Sequence, residues 1–129
     1  SALPMYSTSD VFDVAGPGNV DLDGVIFPDM PWVLDPFGPA AAAREAAERN
    51  WPGRTGQLGR LHAFGYDAFR LIGELRRLRG GGSTPLPGLT GRLSVDGAGR
   101  VRRELDWAQV VNGRPVSPPP PPVVTAPAT

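Results

Sequence analysis

The sequence predicts an α/β fold in which parallel strands and two helices precede a carboxyl-terminal antiparallel β-hairpin, and three observations carry that reading. The run Val25-Ile26-Phe27 is continuously apolar with two β-branched residues, the pattern of a strand covered on both faces in a parallel sheet. Between Gly56 and Arg79 the apolar residues return at three- and four-residue steps, which is the period of a helix. From Leu89 onward the period falls to two.

Leu3-Pro4-Met5-Tyr6-Ser7-Thr8-Ser9 suits a short strand whose first positions tolerate proline. Its hydroxyl residues Ser7, Thr8 and Ser9 either line a cleft or bond to local backbone. Asp10 to Asp21 reads as a loop, with Gly16-Pro17-Gly18-Asn19 as its turn signal. Gly16-Pro17-Gly18 lacks the third glycine and the lysine that a phosphate loop needs. The apolar strand then stops at Pro28, and Pro31 repeats the interruption, so the chain must leave the sheet in extended form. Asp29 and Trp32 are thereby delivered to the carboxyl end of a buried strand, where open α/β sheets bind their ligands.

The first helix has two possible starts, Asp35 as N-cap or Pro39 at the first helical position, and covers the alanine-rich run Ala40 to Arg49. Asn50 and Pro52 end it, with Trp51 as a packing residue. Thr55 is placed to cap the second helix, in which Leu61, Phe64, Ala68, Leu71, Leu75 and Leu78 form one stripe that Ile72 widens. Burying all of it would contribute on the order of 10 kcal/mol before entropy. Arg76, Arg77 and Arg79 suit the negative end of the helix dipole, and Gly80-Gly81-Gly82 terminates the helix. Gly65 interrupts good helix-forming sequence and is expected to have a packing reason, such as another backbone close by. Beside it, Tyr66 and Asp67 either reach a cleft or stabilise the polar boundary of the helix.

Leu93 and Val95 alternate with polar residues, Asp96-Gly97-Ala98-Gly99 makes a turn, and Val101, Leu105 and Trp107 lie on a returning strand. Asn112-Gly113 predicts a second tight hairpin, between Val110-Val111 and Arg114-Pro115-Val116. Residues 1–116 read as one folded unit. Ser117 to Thr129, with the run Pro118 to Pro122, reads as a flexible or polyproline tail.

A formal net charge of zero gives no electrostatic indication of nucleic-acid or membrane-surface binding. All 13 basic residues are arginine, which base composition of the genome explains without a functional role. No cysteine is present, and His62 is the only histidine, so thiolate sites, a zinc site and a serine-histidine triad within this chain are disfavoured. Asp21, Asp23, Asp29 and Asp35 do not match the spacing of a calcium loop, so neither a metal nor another cofactor is expected. No apolar run of spanning length occurs. A start at Ser1-Ala2-Leu3, without methionine or a signal-like segment, is expected of a piece of a longer protein. Arg100, Arg102 and Arg103 cluster on the first hairpin, either as a contact surface or as charge that discourages edge pairing.

Four segments in order resemble one family. Leu22-Asp23-Gly24-Val25-Ile26-Phe27-Pro28-Asp29-Met30-Pro31, Leu61-His62-Ala63-Phe64-Gly65-Tyr66-Asp67-Ala68, Gly88-Leu89-Thr90-Gly91-Arg92-Leu93-Ser94-Val95-Asp96 and Arg103-Glu104-Leu105-Asp106-Trp107-Ala108-Gln109 resemble the carboxyl-terminal part of the LppC/LpoA lipoproteins. The resemblance implies part of a type I periplasmic-binding-protein fold, which is Rossmann-like, and a non-enzymatic activator of a class A penicillin-binding protein in peptidoglycan synthesis. It also implies a location on the periplasmic side of the outer membrane, within a lipid-anchored parent. In that fold Leu3 to Phe27 would belong to one lobe, the two helices to the other, and Leu89 to Val116 would return to the first. The cleft or ligand candidates are then Ser7, Thr8, Asp29, Trp32, Tyr66 and Asp67, for a small ligand such as an amino acid or a peptidoglycan fragment, and the partner-contact candidates are Arg100, Arg102 and Arg103. Half of each lobe's sheet has no counterpart in this sequence, so oligomerisation of the piece is a further expectation.

Overall fold

A computed structural model of the chain describes residues 3–14, 16–35, 37–54, 56–80 and 84–119. In chain order its elements are β1 (Met5–Tyr6), 3-10 turns at Ser9–Val11 and Pro17–Leu22, β2 (Val25–Asp29), α1 (Pro31–Leu34), α2 (Pro39–Asn50), α3 (Gln57–Arg79), β3 (Leu86–Pro87), β4 (Arg92–Val95), β5 (Val101–Glu104), β6 (Asp106–Val111) and β7 (Arg114–Val116). The expected α/β class holds, and the strands divide between two sheets, β1-β2-β6-β7 and β3-β4-β5.

β2 is the centre of the larger sheet. It pairs parallel with β1, Tyr6 opposite Ile26, and antiparallel with β6, Phe27 opposite Ala108. Val25, Ile26 and Phe27 are all buried, so the apolar run serves a strand covered on both faces although its second neighbour is antiparallel. Phe27 stacks on Phe12 at 5.2 Å between ring centroids and packs with Ala108 and Val110 in one core cluster. The β6–β7 hairpin turns through Asn112 and Gly113, at φ of 53° and 75°, as the Asn-Gly signal predicts.

The expected return to the first lobe at Leu89 is displaced. β4 pairs with β3 and β5, while Leu93 packs with Leu78 of α3 and Leu86, so this hairpin lies against the long helix. The crossing to the larger sheet falls at Leu105, between β5 and β6. A second correction concerns α3. Leu71, Leu75 and Leu78 are partly or fully buried, but Leu61 is 67% and Ile72 73% exposed, and Phe64, Ala68 and Phe69 are exposed too. The buried face instead runs through Gly59, Ala63, Asp67 and Leu78, because the partners of α3 are a loop and a short sheet that approach one flank. The burial that α3 gains from large side chains is therefore about half that of the full stripe, roughly 5 kcal/mol.

Helix α2 starts at Pro39, the second of the two predicted starts, while the Asp35 carboxylate accepts the backbone N–H groups of Phe37 and Gly38 just before it. Its alanines permit close packing, and Ala40 and Ala47 join Met30, Trp32, Ala63 and Leu89 in a cluster. The single turn α1 was not expected. Asp35 donates its N–H to the Pro31 carbonyl to close that turn, and the Arg44 guanidinium holds the Trp32 carbonyl. Apart from its chain neighbours and the adjoining backbone of its own helix, no described atom lies within 4 Å of a Cβ built at Gly65, so the expected close neighbour is not found there. Thr55, Gly81, Gly82 and the tail from residue 120 lie outside the described residues.

Candidate functional site

The motif residues meet where β2 leaves the larger sheet. Pro28 ends the apolar run, and Asp29, 1% exposed, turns inward. Its Oδ1 and Oδ2 accept two guanidinium bonds from Arg60 on α3, at 2.6 and 2.8 Å, and Oδ1 also accepts the Met30 N–H at 2.8 Å. This forked pair ties the strand exit to the second turn of the long helix, with geometry that lysine could not reproduce. Three residues after Asp29, Trp32 donates its backbone N–H to the Leu89 carbonyl at 2.9 Å.

Asp67 makes the second tie. It is 2% exposed, and its carboxylate accepts the Leu89 N–H at 2.9 Å, the Thr90 N–H at 2.8 Å and the Thr90 hydroxyl at 2.6 Å. The Gly88-Leu89-Thr90-Gly91 loop is shaped for this. A Cβ at Gly88 would lie 2.5 Å from Asp67 Oδ2, and one at Gly91, which has a φ of 141°, would lie 2.6 Å from the Glu104 carbonyl oxygen. The Arg103 Nε then donates to Thr90 Oγ1 at 3.0 Å, and its guanidinium lies 4.7 Å from the centre of the Phe64 ring. Two segments 22 residues apart in the chain thus form one hydrogen-bonded unit.

Tyr66 points the other way. It is exposed, carries the Arg70 guanidinium 5.8 Å from its ring centre, and lines a cavity of about 490 Å³ with Asp35, Arg70, Leu89, Arg92 and Asp106. Arg92 bridges Glu104 and Asp106 at 2.9 and 2.8 Å, and these bonds, Glu104 first, raise its already high pKa. Ser7 donates its N–H to the Ile26 carbonyl, and the Thr8 carbonyl accepts from Val11, so both serve the entry to the larger sheet and neither lines the Tyr66 cavity.

The three arginines of the first hairpin do not share a face. Arg100 and Arg102 both donate to Asp96, at 3.0 Å each, whereas Arg103 lies over Thr90 and Phe64. Strand alternation explains the split between Arg102 and Arg103. Trp32 is 1% exposed, under His62 at 5.5 Å between rings, and His62 lies at the same distance from Trp51. Arg60 and Thr90 were missed by sequence reasoning. A lone arginine and a lone threonine carry no sequence signal until their partners are known to be buried carboxylates. Among the described residues, no group of three or more His, Cys, Asp or Glu side chains is placed to hold a metal ion.

A family profile described as "LppC putative lipoprotein" matches residues 1–113. The chain is 35% identical over 104 residues to the penicillin-binding protein activator LpoA of Photobacterium profundum, an alignment covering 81% of this chain and 16% of that protein. It is likewise similar to the C-domain of LpoA from Haemophilus influenzae, described as a regulator of PBP1A, with 34% identity, a TM-score of 0.67, and coverage of 88% of this chain and 36% of the other. A Chromobacterium violaceum structure described as a "putative branched-chain amino acid ABC transporter" matches at 36% identity and a TM-score of 0.61, over 83% of this chain and 34% of that one. The chain therefore spans only a small part of the relatives it matches, and the segments through which it matches them include the Asp29 and Asp67 ties. By the extent of the profile match and by this identity, the chain belongs to the LppC lipoprotein family.

Proposed function

We propose that this chain is a portion of a non-enzymatic activator of a class A penicillin-binding protein, acting in peptidoglycan synthesis through protein contact. The observation that carries the reading is the combination of 34% identity and a TM-score of 0.67 with the C-domain of a regulator of PBP1A. The engagement of Asp29 and Asp67 supports it, since both carboxylates are spent on backbone and guanidinium partners rather than held ready for proton transfer. Residues 1–116 form the unit that does this, with 117–129 as a tail outside it, and the parent is a lipid-anchored protein on the periplasmic side of the outer membrane. The exposed apolar face of α3, with Leu61, Phe69 and Ile72, is where the remainder of such a domain packs. Arg100 and Arg102, exposed on β5 and its turn, are the contact candidates for the synthase.

The test is peptide crosslinking by the cognate class A penicillin-binding protein on lipid-linked substrate, with and without the intact parent protein. Stimulation that weakens on Arg102→Glu supports the reading. An unchanged crosslinking rate with a folded parent overturns it. The second reading is a solute-binding module, favoured by the Tyr66 cavity and by the likeness to a transporter structure. Calorimetric titration with amino acids and peptidoglycan fragments, repeated on Tyr66→Ala, distinguishes the two.

A further inference from the structure

We propose that the cavity between α1, the end of α2 and the first turns of α3 binds a small carboxylate that carries an apolar or aromatic body and no ammonium group. The cavity holds about 250 Å³, and its wall includes Trp32, Trp51, Arg54, Leu58, Gly59 and His62. This is the volume for one ring with a short acidic arm, below the range of drug-sized sites.

Its polar lining is one-sided. The Trp32 indole is 1% exposed, yet its Nε1–H has no hydrogen-bond partner among the described residues. A buried donor left without an acceptor is rare and unfavourable, so an acceptor supplied from outside would be bound with advantage. Gly59 leaves room for the indole edge beneath the cavity: a Cβ there would lie 2.9 Å from Nε1. Neither the Arg54 guanidinium nor the His62 ring makes a hydrogen bond or ion pair with the described residues. Both donate, arginine always and histidine through at least one ring nitrogen. Leu58 and Gly59 lie in the first turn of the 23-residue α3, whose dipole adds positive potential.

Among the described residues, no aspartate or glutamate lines the cavity. An anion with acceptor oxygens is therefore matched, and an ammonium group is not. Trp51 and His62, their rings 5.5 Å apart, offer faces on which a flat or aliphatic body packs. The selection differs from that of an amino-acid site, which needs an acidic group for the α-ammonium. It also lies apart from the Tyr66 cavity, which shares none of these lining residues.

Isothermal titration of the folded full chain with N-acetylphenylalanine, N-acetylphenylalaninamide and phenylalanine tests the assignment. N-acetylphenylalanine should bind about tenfold more tightly than its amide and than phenylalanine, the worth of one charge-assisted bond. Arg54→Gln should remove the difference between acid and amide without changing the near-ultraviolet circular dichroism. The Trp32 indole N–H resonance, assigned with Trp51→Phe and Trp107→Phe variants, should shift downfield on binding. Equal affinity for acid and amide, an acid preference that survives Arg54→Gln, or no heat from any of the three would overturn the proposal.

Discussion

Asp67 and Thr90 are joined twice through one oxygen: Asp67 Oδ2 accepts the Thr90 backbone N–H at 2.8 Å and the Thr90 hydroxyl at 2.6 Å. With the Leu89 N–H on Oδ1, this makes α3 the holder of the loop between β3 and β4. Asp67→Ala leaves two buried N–H groups without an acceptor, and should lower the unfolding free energy by about 3 kcal/mol or more. Thr90→Val should cost about 1 to 2 kcal/mol, because only the hydroxyl bonds are lost. Urea denaturation measures both, and a loss smaller for Asp67→Ala than for Thr90→Val would contradict the assignment.

The Asp29 and Arg60 pair is buried on the carboxylate side and partly open on the other. Removing only the cation by Arg60→Met strands a buried charge, at an expected cost of about 3 to 5 kcal/mol. Adding Asp29→Asn to that variant removes the charge while keeping an acceptor for the Met30 N–H, and should recover about half of the loss. A double-mutant cycle in denaturant checks this; additive losses would show that the two side chains do not act as a pair.

Two helix glycines should respond oppositely to the same change. Gly65→Ala meets open space and gains helix propensity, so it should stabilise by about 1 kcal/mol. Gly59→Ala places its Cβ against the rigid, buried Trp32 indole, and should destabilise by about 1 to 3 kcal/mol despite the same propensity gain. Thermal unfolding of the two variants side by side decides it.

Asp96 organises the β4–β5 turn by accepting the N–H groups of Ala98 and Arg100 and the side chains of Arg100 and Arg102. The Arg100 backbone N–H is the largest influence holding its carboxyl below the ordinary value of 3.8; loss of hydration, the next largest, opposes it, and the remaining bonds from Arg100, Ala98 and Arg102 lower it further. A lowered folded pKa means that the turn's contribution is present above the unfolded value and is lost as pH falls through the folded one. The Arg100 amide resonance should therefore titrate with a midpoint below 3.8, and a midpoint at or above that value would refute the turn's geometry.

Local signals located β2, α2, α3 and the Asn-Gly hairpin, because each depends on neighbours within a few positions: the apolar run before Pro28, proline at a helix start, heptad-like spacing and a turn that needs positive φ. The motifs also placed Asp29 and Asp67 among the residues that matter. Their roles depended on distance. Whether Asp67 meets a cleft or a loop turns on where Gly88 to Gly91 returns, and that loop comes 22 positions later for the Leu89 bond. Arg60 and Thr90 became legible only with their carboxylates, since a buried charge is defined by its surroundings.

The chain's own order of residues determined which segments are strand and helix, since backbone restriction and hydrophobic period act locally. Only the tertiary structure decided which flank of α3 is buried, that the chain crosses between sheets at Leu105, and that Arg103 parts from Arg100 and Arg102. The stripe from Leu61 to Leu78 is equally apolar wherever it faces. Burial belongs to the element that arrives from elsewhere in the chain, and here the Gly88 to Gly91 loop and the β3–β4–β5 sheet arrived on the side of Ala63, Asp67 and Leu78.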